Sequence, residues 1–338
     1  VTIPTLGFIG HGYWGPNLLR NFRELRDCRV KSVADLNPDR LSALAARHPE
    51  LELHRDHRTL LDDPALDAVV VATNLASHHQ VARDALLAGK HVLIEKPVTA
   101  DPGEALELAE LAEARGLVLM VGHTFLFNQA VRDVKRRLEA GEVGRVLYLH
   151  TTRTNLGPIR EDTNVVWDLA SHDVSVFLHL LGEDPATVAA HGGSYLMEER
   201  EDVVFLHLTF PSGVIGNIHV SWLDPCKVRR LTVIGDAKML LFDDMNPLEP
   251  IRIFDKGVER RKRYDTFGEF QMVLRDGDIL IPKVPLSEPL KNECAAFLEA
   301  LRTREAIPSD GRFGHRVVRV LAAAETSLAQ GGRPVEVA

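Results

Sequence analysis

The chain is poor in the residues that mark several large functional classes. It has only three cysteines in 338 residues. Cys28, Cys226 and Cys294 are odd in number, far apart and without C-x-x-C spacing, which argues against a disulfide scaffold or a thiolate zinc site and fits a reducing compartment. No H-E-x-x-H or comparable ligand cluster occurs, so no metal site is expected. No apolar run approaches the roughly 18 residues a membrane span needs, and the first residues lead straight into a strand-like run without a basic leader. A cytoplasmic protein with no membrane partner is the expectation. Basic charge is also short: 48 acidic against 40 basic residues give a formal charge of -8, and the densest basic run, Arg260–Arg263, is brief and reads as exposed surface. A nucleic-acid partner is therefore not expected. No internal repeat or low-complexity tract is present.

What the chain does have is an ordinary globular composition, 45% hydrophobic and 26% charged, at a length suited to two domains. From Thr5 to Gly122, short apolar runs alternate with helix-patterned segments. Strands are expected at Leu6–Ile9, Val30–Ala34, Leu51–Leu53 (the weakest), Ala68–Ala72, His91–Ile94 and Val118–Val121; continuous hydrophobicity marks parallel strands buried on both faces. Between them Ser77–Ala88 and Pro102–Arg115 carry helical spacing, with Ser77 and Asp101 as N-caps and Gly89 and Gly116 as stops. The pattern predicts a doubly wound parallel sheet of Rossmann type over residues 1–123.

After residue 123 the pattern changes. Helices are expected at Gln129–Ala140 and Val166–Leu181, with a strand at Val146–Thr154 between them. Strands follow at Ala186–Gly192, Val203–Phe210, Val214–Trp222, Arg229–Ile234 and Met239–Phe242, with Pro211-Ser212-Gly213 as a turn. Residues 124–338 are thus expected to form an α+β domain with a mostly antiparallel, open-faced sheet. Asp255–Val284 reads as polar and irregular, and helices Leu290–Thr303 and Gly314–Gln330 close the chain, able to pack back on the first domain.

Immediately after the first strand stands Gly10-His11-Gly12-Tyr13-Trp14-Gly15, leading into a helix. The three glycines serve separate needs. The first permits a tight turn, the second lets a pyrophosphate approach the backbone, and the third allows close helix–strand packing, with the helix N-terminus facing the anion. Asp35, twenty residues beyond Gly15 at the end of the second strand, can accept hydrogen bonds from ribose hydroxyls. A carboxylate there repels a 2′-phosphate and favours NAD over NADP, although Arg40 softens that preference. Thr73 and Asn74, at the carboxyl end of the fourth strand, are further candidates for the cofactor site.

Two constellations carry possible chemistry. Glu95-Lys96-Pro97 ends the fifth strand at the same sheet edge as the glycine turn. Asp168 and His172, at i and i+4 of one helix, project from one face, and a carboxylate beside an imidazole suits proton transfer as well as it suits a surface ion pair. Between these elements Arg153, Asn155 and Arg160 could bind an oxyanion or serve in structural salt bridges.

Taken together, the glycine turn, Ala72-Thr73 with His78 shortly after, Glu95-Lys96-Pro97 and Asp168-x-x-x-His172 resemble the Gfo/Idh/MocA family of oxidoreductases over nearly the whole chain. The resemblance implies that Lys96, Asp168 and His172 surround a reacting carbinol, with His172 the base, Lys96 hydrogen-bonded to the same oxygen and Asp168 tuning the pair. It also implies a cofactor site of Gly10, Gly12, Tyr13, Trp14, Gly15, Asp35, Thr73, Asn74, His78, Glu95, Lys96 and Pro97 around NAD. Gly122–Asn128, Thr152–Arg160 and Trp167-Asp168-Leu169 look like the subgroup acting on nucleotide-linked sugars, with Lys96, His123, Arg153, Asn155, Arg160, Asp168 and His172 toward a substrate oxidised at the 3-hydroxyl of a UDP-linked amino sugar or its uronic acid. Asn74, where a proline is frequent, and Gly122-His123-Thr124-Phe125, where an aromatic-arginine stretch is frequent, depart from the common pattern. Inositol or free-sugar dehydrogenases, and regulators that bind NAD(H) without turnover, are the other readings within that resemblance. A small-molecule substrate and a homo-oligomer, a dimer or tetramer built on the open sheet face, are the expected partners.

Overall fold

A computed structural model describes residues 3–260 and 272–338 and divides into two compact units. The first comprises Val1–Asn128 with Ser287–Ala322. Its order is β1 (Thr5–Ile9), α1 (Gly15–Glu24), β2 (Arg29–Ala34), α2 (Pro38–Arg47), β3 (Glu52–His54), α3 (His57–Leu61), β4 (Ala68–Val71), α4 (Leu75–Leu87), β5 (His91–Glu95), α5 (Pro102–Ala114) and β6 (Leu119–Gly122). The strands form one all-parallel sheet in the order β3-β2-β1-β4-β5-β6. All of β4 and β6 is buried, as the unbroken apolar runs require. The order reverses between β1 and β4, which opens a crevice at the carboxyl ends of those strands.

Local signals account for most boundaries. Asp101 caps α5 by accepting from the Glu104 amide, and Gly89 and Gly116 follow their helices at positive φ. At α4 the expected Ser77 cap is wrong. The helix starts two residues earlier, behind Asn74, and the Ser77 hydroxyl instead donates back to the Asn74 carbonyl and side chain, at 2.9 and 2.7 Å. The helix α8 (Pro289–Thr303) also belongs to this unit, with Phe297 meeting Phe22 edge-on at 6.3 Å and Phe22 meeting Phe8 of β1 at 5.8 Å.

The second unit comprises Gln129–Leu286 with Ala323–Ala338. It contains α6 (Gln129–Glu139), β7 (Val146–Leu156), a π-helical turn (Val166–Ala170), α7 (Ser171–Leu181), β8 (Thr187–Gly193), β9 (Val203–Thr209), β10 (Ile215–Ser221), β11 (Leu223–Gly235), β12 (Met239–Asp243), β13 (Ile251–Arg260) and β14 (Met272–Leu280). The helix α9 (Gly311–Ala329) enters it from the first unit, and β15 (Val335–Glu336) follows. The sheet order is β14-β13-β12-β11-β7-β10-β9-β8-β15, antiparallel throughout except for β7 beside β10. Two expectations change here. Part of the stretch taken as irregular forms the paired antiparallel strands β13 and β14. The predicted helix from Val166 is π-helical for its first turn. Of the basic run, Arg261–Arg263 lie outside the described residues.

One face of this sheet packs on α7, where a Cβ at Gly216 would lie 2.9 Å from the Phe177 ring. The other face carries exposed Tyr148, Ile215 and Phe205, the last stacked on His219 at 4.3 Å. Among the described residues no helix is long and apolar enough to cross a membrane.

Candidate active site

The glycine turn lies at the carboxyl end of β1, beside the reversal point of the sheet. Gly10 has φ +94°, and a Cβ there would sit 2.6 Å from the Ala72 carbonyl oxygen, so both conformation and space demand glycine. A Cβ at Gly15 would meet the Gly10 carbonyl at 2.6 Å, which explains close seating of α1 on the turn. Gly12 faces open space apart from Arg40, whose Nη1 would lie 3.6 Å from an added Cβ. The first turn of α1 carries no acidic residue and no side-chain cap, and Pro16 supplies no amide; the Asn17 amide donates to the Trp14 carbonyl at 2.9 Å, so what favours an anion here is the helix dipole at an end without negative charge.

Asp35 is nearly buried. Its Oδ2 accepts from the His11 amide at 2.6 Å, its Oδ1 from the Asn37 amide at 2.8 Å, and Arg40 stands 3.6 Å away. The backbone thus fixes the carboxylate against the turn while lone pairs remain for ribose hydroxyls. Thr73 is part-exposed and Asn74 exposed at the end of β4; Tyr13 is exposed and Trp14 partly so. These residues fit a dinucleotide: an open cradle for the pyrophosphate at Gly12, a helix N-terminus free of acidic side chains at α1, and an anchored acid at the ribose position.

Lys96 follows β5 at the same sheet edge, and its peptide bond to Pro97 is cis. Two neighbours expected at the cofactor are engaged elsewhere. His78 is buried, and its ring nitrogens lie 2.8 Å from the Pro97 carbonyl and 3.2 Å from the Thr73 carbonyl. With both nitrogens on main-chain oxygens it braces the Lys96-Pro97 turn against the end of β4, rather than offering an atom to the cofactor. The Glu95 carboxyl points into protein toward Gly122 and Trp14, and burial raises its pKa to about 7 against the opposing pull of Lys96.

His123, expected to touch substrate, is 1% exposed. Its ring packs edge-on against Phe313 at 5.6 Å, and burial, then Lys96, drives its pKa down to about 3, which keeps it neutral.

In the second unit Asp168 lies on the π turn and His172 on the first turn of α7. The turn is pinned from several sides. The Asn164 side-chain oxygen accepts from the Val166 and Trp167 amides at 3.1 and 3.3 Å, and the Trp167 indole donates to Glu325 at 3.0 Å. Asp168 is held by the Trp222 indole N–H, 3.1 Å from Oδ2, and by Arg160, 3.6 Å from Oδ1. Trp222 is fully buried at the end of β10 and is not among the residues that sequence reasoning singles out; its only sequence signal is a large aromatic closing a strand. π turns recur at functional sites because they aim side chains that regular helix would turn elsewhere.

The three residues chosen for a substrate oxyanion do not present free groups to one. Arg153 is buried and grips Asp173 of α7 through two bonds, at 2.7 and 3.2 Å, so its role is the structural alternative. Asn155 turns its amide onto the Gly157 carbonyl in its own loop. Arg160 is partly exposed, but its fork holds Asp162 at 2.9 and 2.7 Å as well as facing Asp168. Among the described residues no group of three metal-ligating side chains converges.

Comparison with known proteins adds two profile matches. Residues 5–123 match the oxidoreductase family with an NAD-binding Rossmann fold, and residues 131–241 match the GFO/IDH/MocA C-terminal domain. UDP-N-acetylglucosamine 3-dehydrogenase of Acidithiobacillus ferrooxidans is 28% identical over 317 residues, 92% of this chain and 93% of its own length. Its solved structure superposes with a TM-score of 0.82 at 26% identity, covering 97% of this chain and 98% of that one. Inositol 2-dehydrogenase 2 of Saccharopolyspora erythraea is 31% identical over 223 residues, 64% of this chain and 66% of its own.

Proposed function

The chain belongs to the Gfo/Idh/MocA oxidoreductase family, with an NAD-binding Rossmann fold at its N-terminal end, and from that premise we propose that it oxidises a ring carbinol of a sugar, the 3-hydroxyl of a UDP-linked amino sugar or its uronic acid. The observation that carries the proposal is the placement of Lys96 at the same carboxyl edge of one parallel sheet as the glycine turn and the anchored Asp35. A ligand seated on that turn leaves its reactive end along this edge, where such sheets bind their ligands.

When bound, NAD supplies the hydride acceptor. The side chains handle the proton and the orientation. His172 takes the hydroxyl proton as the carbinol carbon loses its hydride, and the carbon–oxygen bond becomes a carbonyl. Lys96 donates a hydrogen bond to the same oxygen and disfavours the neutral alcohol relative to the developing alkoxide. Asp168, one turn before His172 and held by Trp222 and Arg160, stabilises the imidazolium that forms.

The choice of a nucleotide-linked sugar is supported by the UDP-sugar dehydrogenase, which matches over nearly the whole chain, whereas the inositol dehydrogenase matches over about two thirds. The paired state of Arg153 and Arg160 takes away the sequence argument for a charged substrate, so inositol or a free sugar is the second reading. A homo-oligomer formed on the face of Tyr148, Ile215 and Phe205 completes the proposal, because apolar side chains in a row on an open sheet are commonly covered.

The test is the appearance of reduced nicotinamide with UDP-sugars, sugar uronates, inositols and free hexoses, for the wild type beside Lys96→Ala and His172→Ala. Turnover of a UDP-sugar lost in both variants supports the reading. Turnover confined to inositols moves the substrate to the second reading, and tight NADH binding without any turnover turns the protein into a cofactor-sensing regulator.

A further inference from the structure

Behind the end of β5 lies a group of buried titratable side chains that the proposed reaction does not use. Glu293 projects from α8 within its buried stripe of Leu290, Cys294 and Phe297, and is wholly inaccessible. A Cβ at Gly122 of β6 would lie 3.3 Å from Glu95 Oε2 and 3.4 Å from Glu293 Oε1, so the two carboxyls flank one glycine and only its missing side chain lets both approach. They differ in their donors. Glu95 receives the Lys96 amide at 3.3 Å and the Trp14 indole of the dinucleotide turn, while Glu293, near the Thr124 hydroxyl, has neither carboxyl oxygen in a hydrogen bond.

The rest of the pocket supplies little charge. His123 is neutral and buried, with both ring nitrogens lacking a hydrogen-bond partner, and burial beside these carboxyls pushes the Cys294 thiol up. Lys96 is the cation beside Glu95. Glu293 is wholly buried and Glu95 part-buried, so two ionised carboxylates flanking Gly122 would face one ammonium, and burial together with like charge disfavours ionising both.

We propose that Glu95 and Glu293 hold one proton between them, carried mainly by Glu293, and that Glu293 is thereby a positioning residue that leaves a single negative charge, on Glu95, to hold Lys96 at the end of β5. The role of Lys96 rests on the reading given above; the shared proton does not. Burial raises both carboxyl pKa values, and the negative charge of Glu95 raises that of Glu293 further. A raised folded-state pKa contributes stability that is complete below the unfolded carboxylate range and is lost as pH rises through the folded value.

The experiment takes the full chain without added cofactor. Infrared spectra of glutamate-labelled protein should show a protonated carboxylic acid carbonyl at neutral pH in the wild type and lose it in Glu293→Gln. Urea unfolding should show wild-type stability falling from pH 5 toward neutrality and beyond, by close to one proton's dependence, and Glu293→Gln should flatten that slope. With substrate, Glu293→Gln should shift or abolish the alkaline limb of the kcat profile while KM for NAD stays within about twofold. A wild type with no protonated carboxyl at neutral pH overturns the shared proton even if the enzyme is active. An unshifted kcat profile in Glu293→Gln overturns the positioning role. If that variant fails to fold, the infrared pH titration of the wild type decides the shared proton and Glu293→Met serves for the kcat profile. If no sugar is turned over, the infrared and unfolding results still decide the pair.

Discussion

Replacing Trp222 by phenylalanine separates a positioning bond from simple packing. The indole is fully buried and donates its N–H to Asp168 Oδ2 at 3.1 Å. Phenylalanine keeps most of the apolar volume but removes the donor. Loss of a hydrogen bond to a charged group costs about 1.5–3 kcal/mol. Trimming the indole to a phenyl ring adds about 1–2 kcal/mol for the space it leaves. Unfolding free energy should therefore fall by about 2.5–5 kcal/mol, of which only the first part bears on catalysis. If Asp168 must be held to stabilise the imidazolium of His172, that part appears as a loss of roughly tenfold to a hundredfold in kcat. The assay is steady-state NAD reduction with the preferred sugar, alongside urea unfolding and NADH binding by fluorescence. NADH affinity should be unchanged, because the dinucleotide turn lies in the other unit. A variant that loses stability yet keeps wild-type kcat would refute the reasoning and leave Trp222 as packing alone.

Other outcomes follow from the same geometry. Gly10→Ala should lose about 2–4 kcal/mol of stability, from positive φ and the collision with the Ala72 carbonyl, and NADH binding should collapse; an unfolding curve and a binding titration matching the wild type would contradict this. Asp35→Ser should raise affinity for NADP relative to NAD by roughly tenfold, since the carboxylate that repels a 2′-phosphate is gone and Arg40 loses its partner; equal preference before and after would count against it. Arg153→Leu should cost about 3–5 kcal/mol by leaving Asp173 buried and unpaired, with much of the loss recovered when Asp173→Leu is added. If a folded Arg153 variant instead shows a large rise in KM for a UDP-sugar, the guanidinium does bind substrate.

Much of the fold is legible in the sequence because it rests on local signals. Unbroken apolar runs mark the parallel strands, Asp101 and Gly116 bound α5, and Pro211-Ser212-Gly213 separates β9 from β10. The glycine turn with Asp35 is legible for the same reason, since each residue acts through its own backbone conformation or a near neighbour. What the sequence leaves illegible is the set of side chains whose surroundings depend on distant partners. Arg153 reads equally well as an anion ligand or a structural ion, and Asp173 across the unit makes it the second. His78 and His123 look like site histidines because nothing local reveals burial. Helical spacing places Asp168 and His172 on one face, but cannot foresee the π turn or the indole of Trp222 that holds the carboxylate. Glu293 does leave a trace: it falls on the apolar stripe of α8 with Leu290, Cys294 and Phe297, where an unpaired acid is out of place.

The central claim is hydride transfer from a sugar carbinol, and isotopic transfer tests it most directly. UDP-N-acetylglucosamine carrying deuterium at the 3-carbon would be incubated with the protein and NAD, and the nicotinamide examined by mass spectrometry. The account predicts deuterium in the reduced nicotinamide in equal amount to the ketone formed, and none with His172→Ala. Bound NAD with no deuterium transferred, from this substrate or from deuterated uronates, inositols and hexoses, would contradict it.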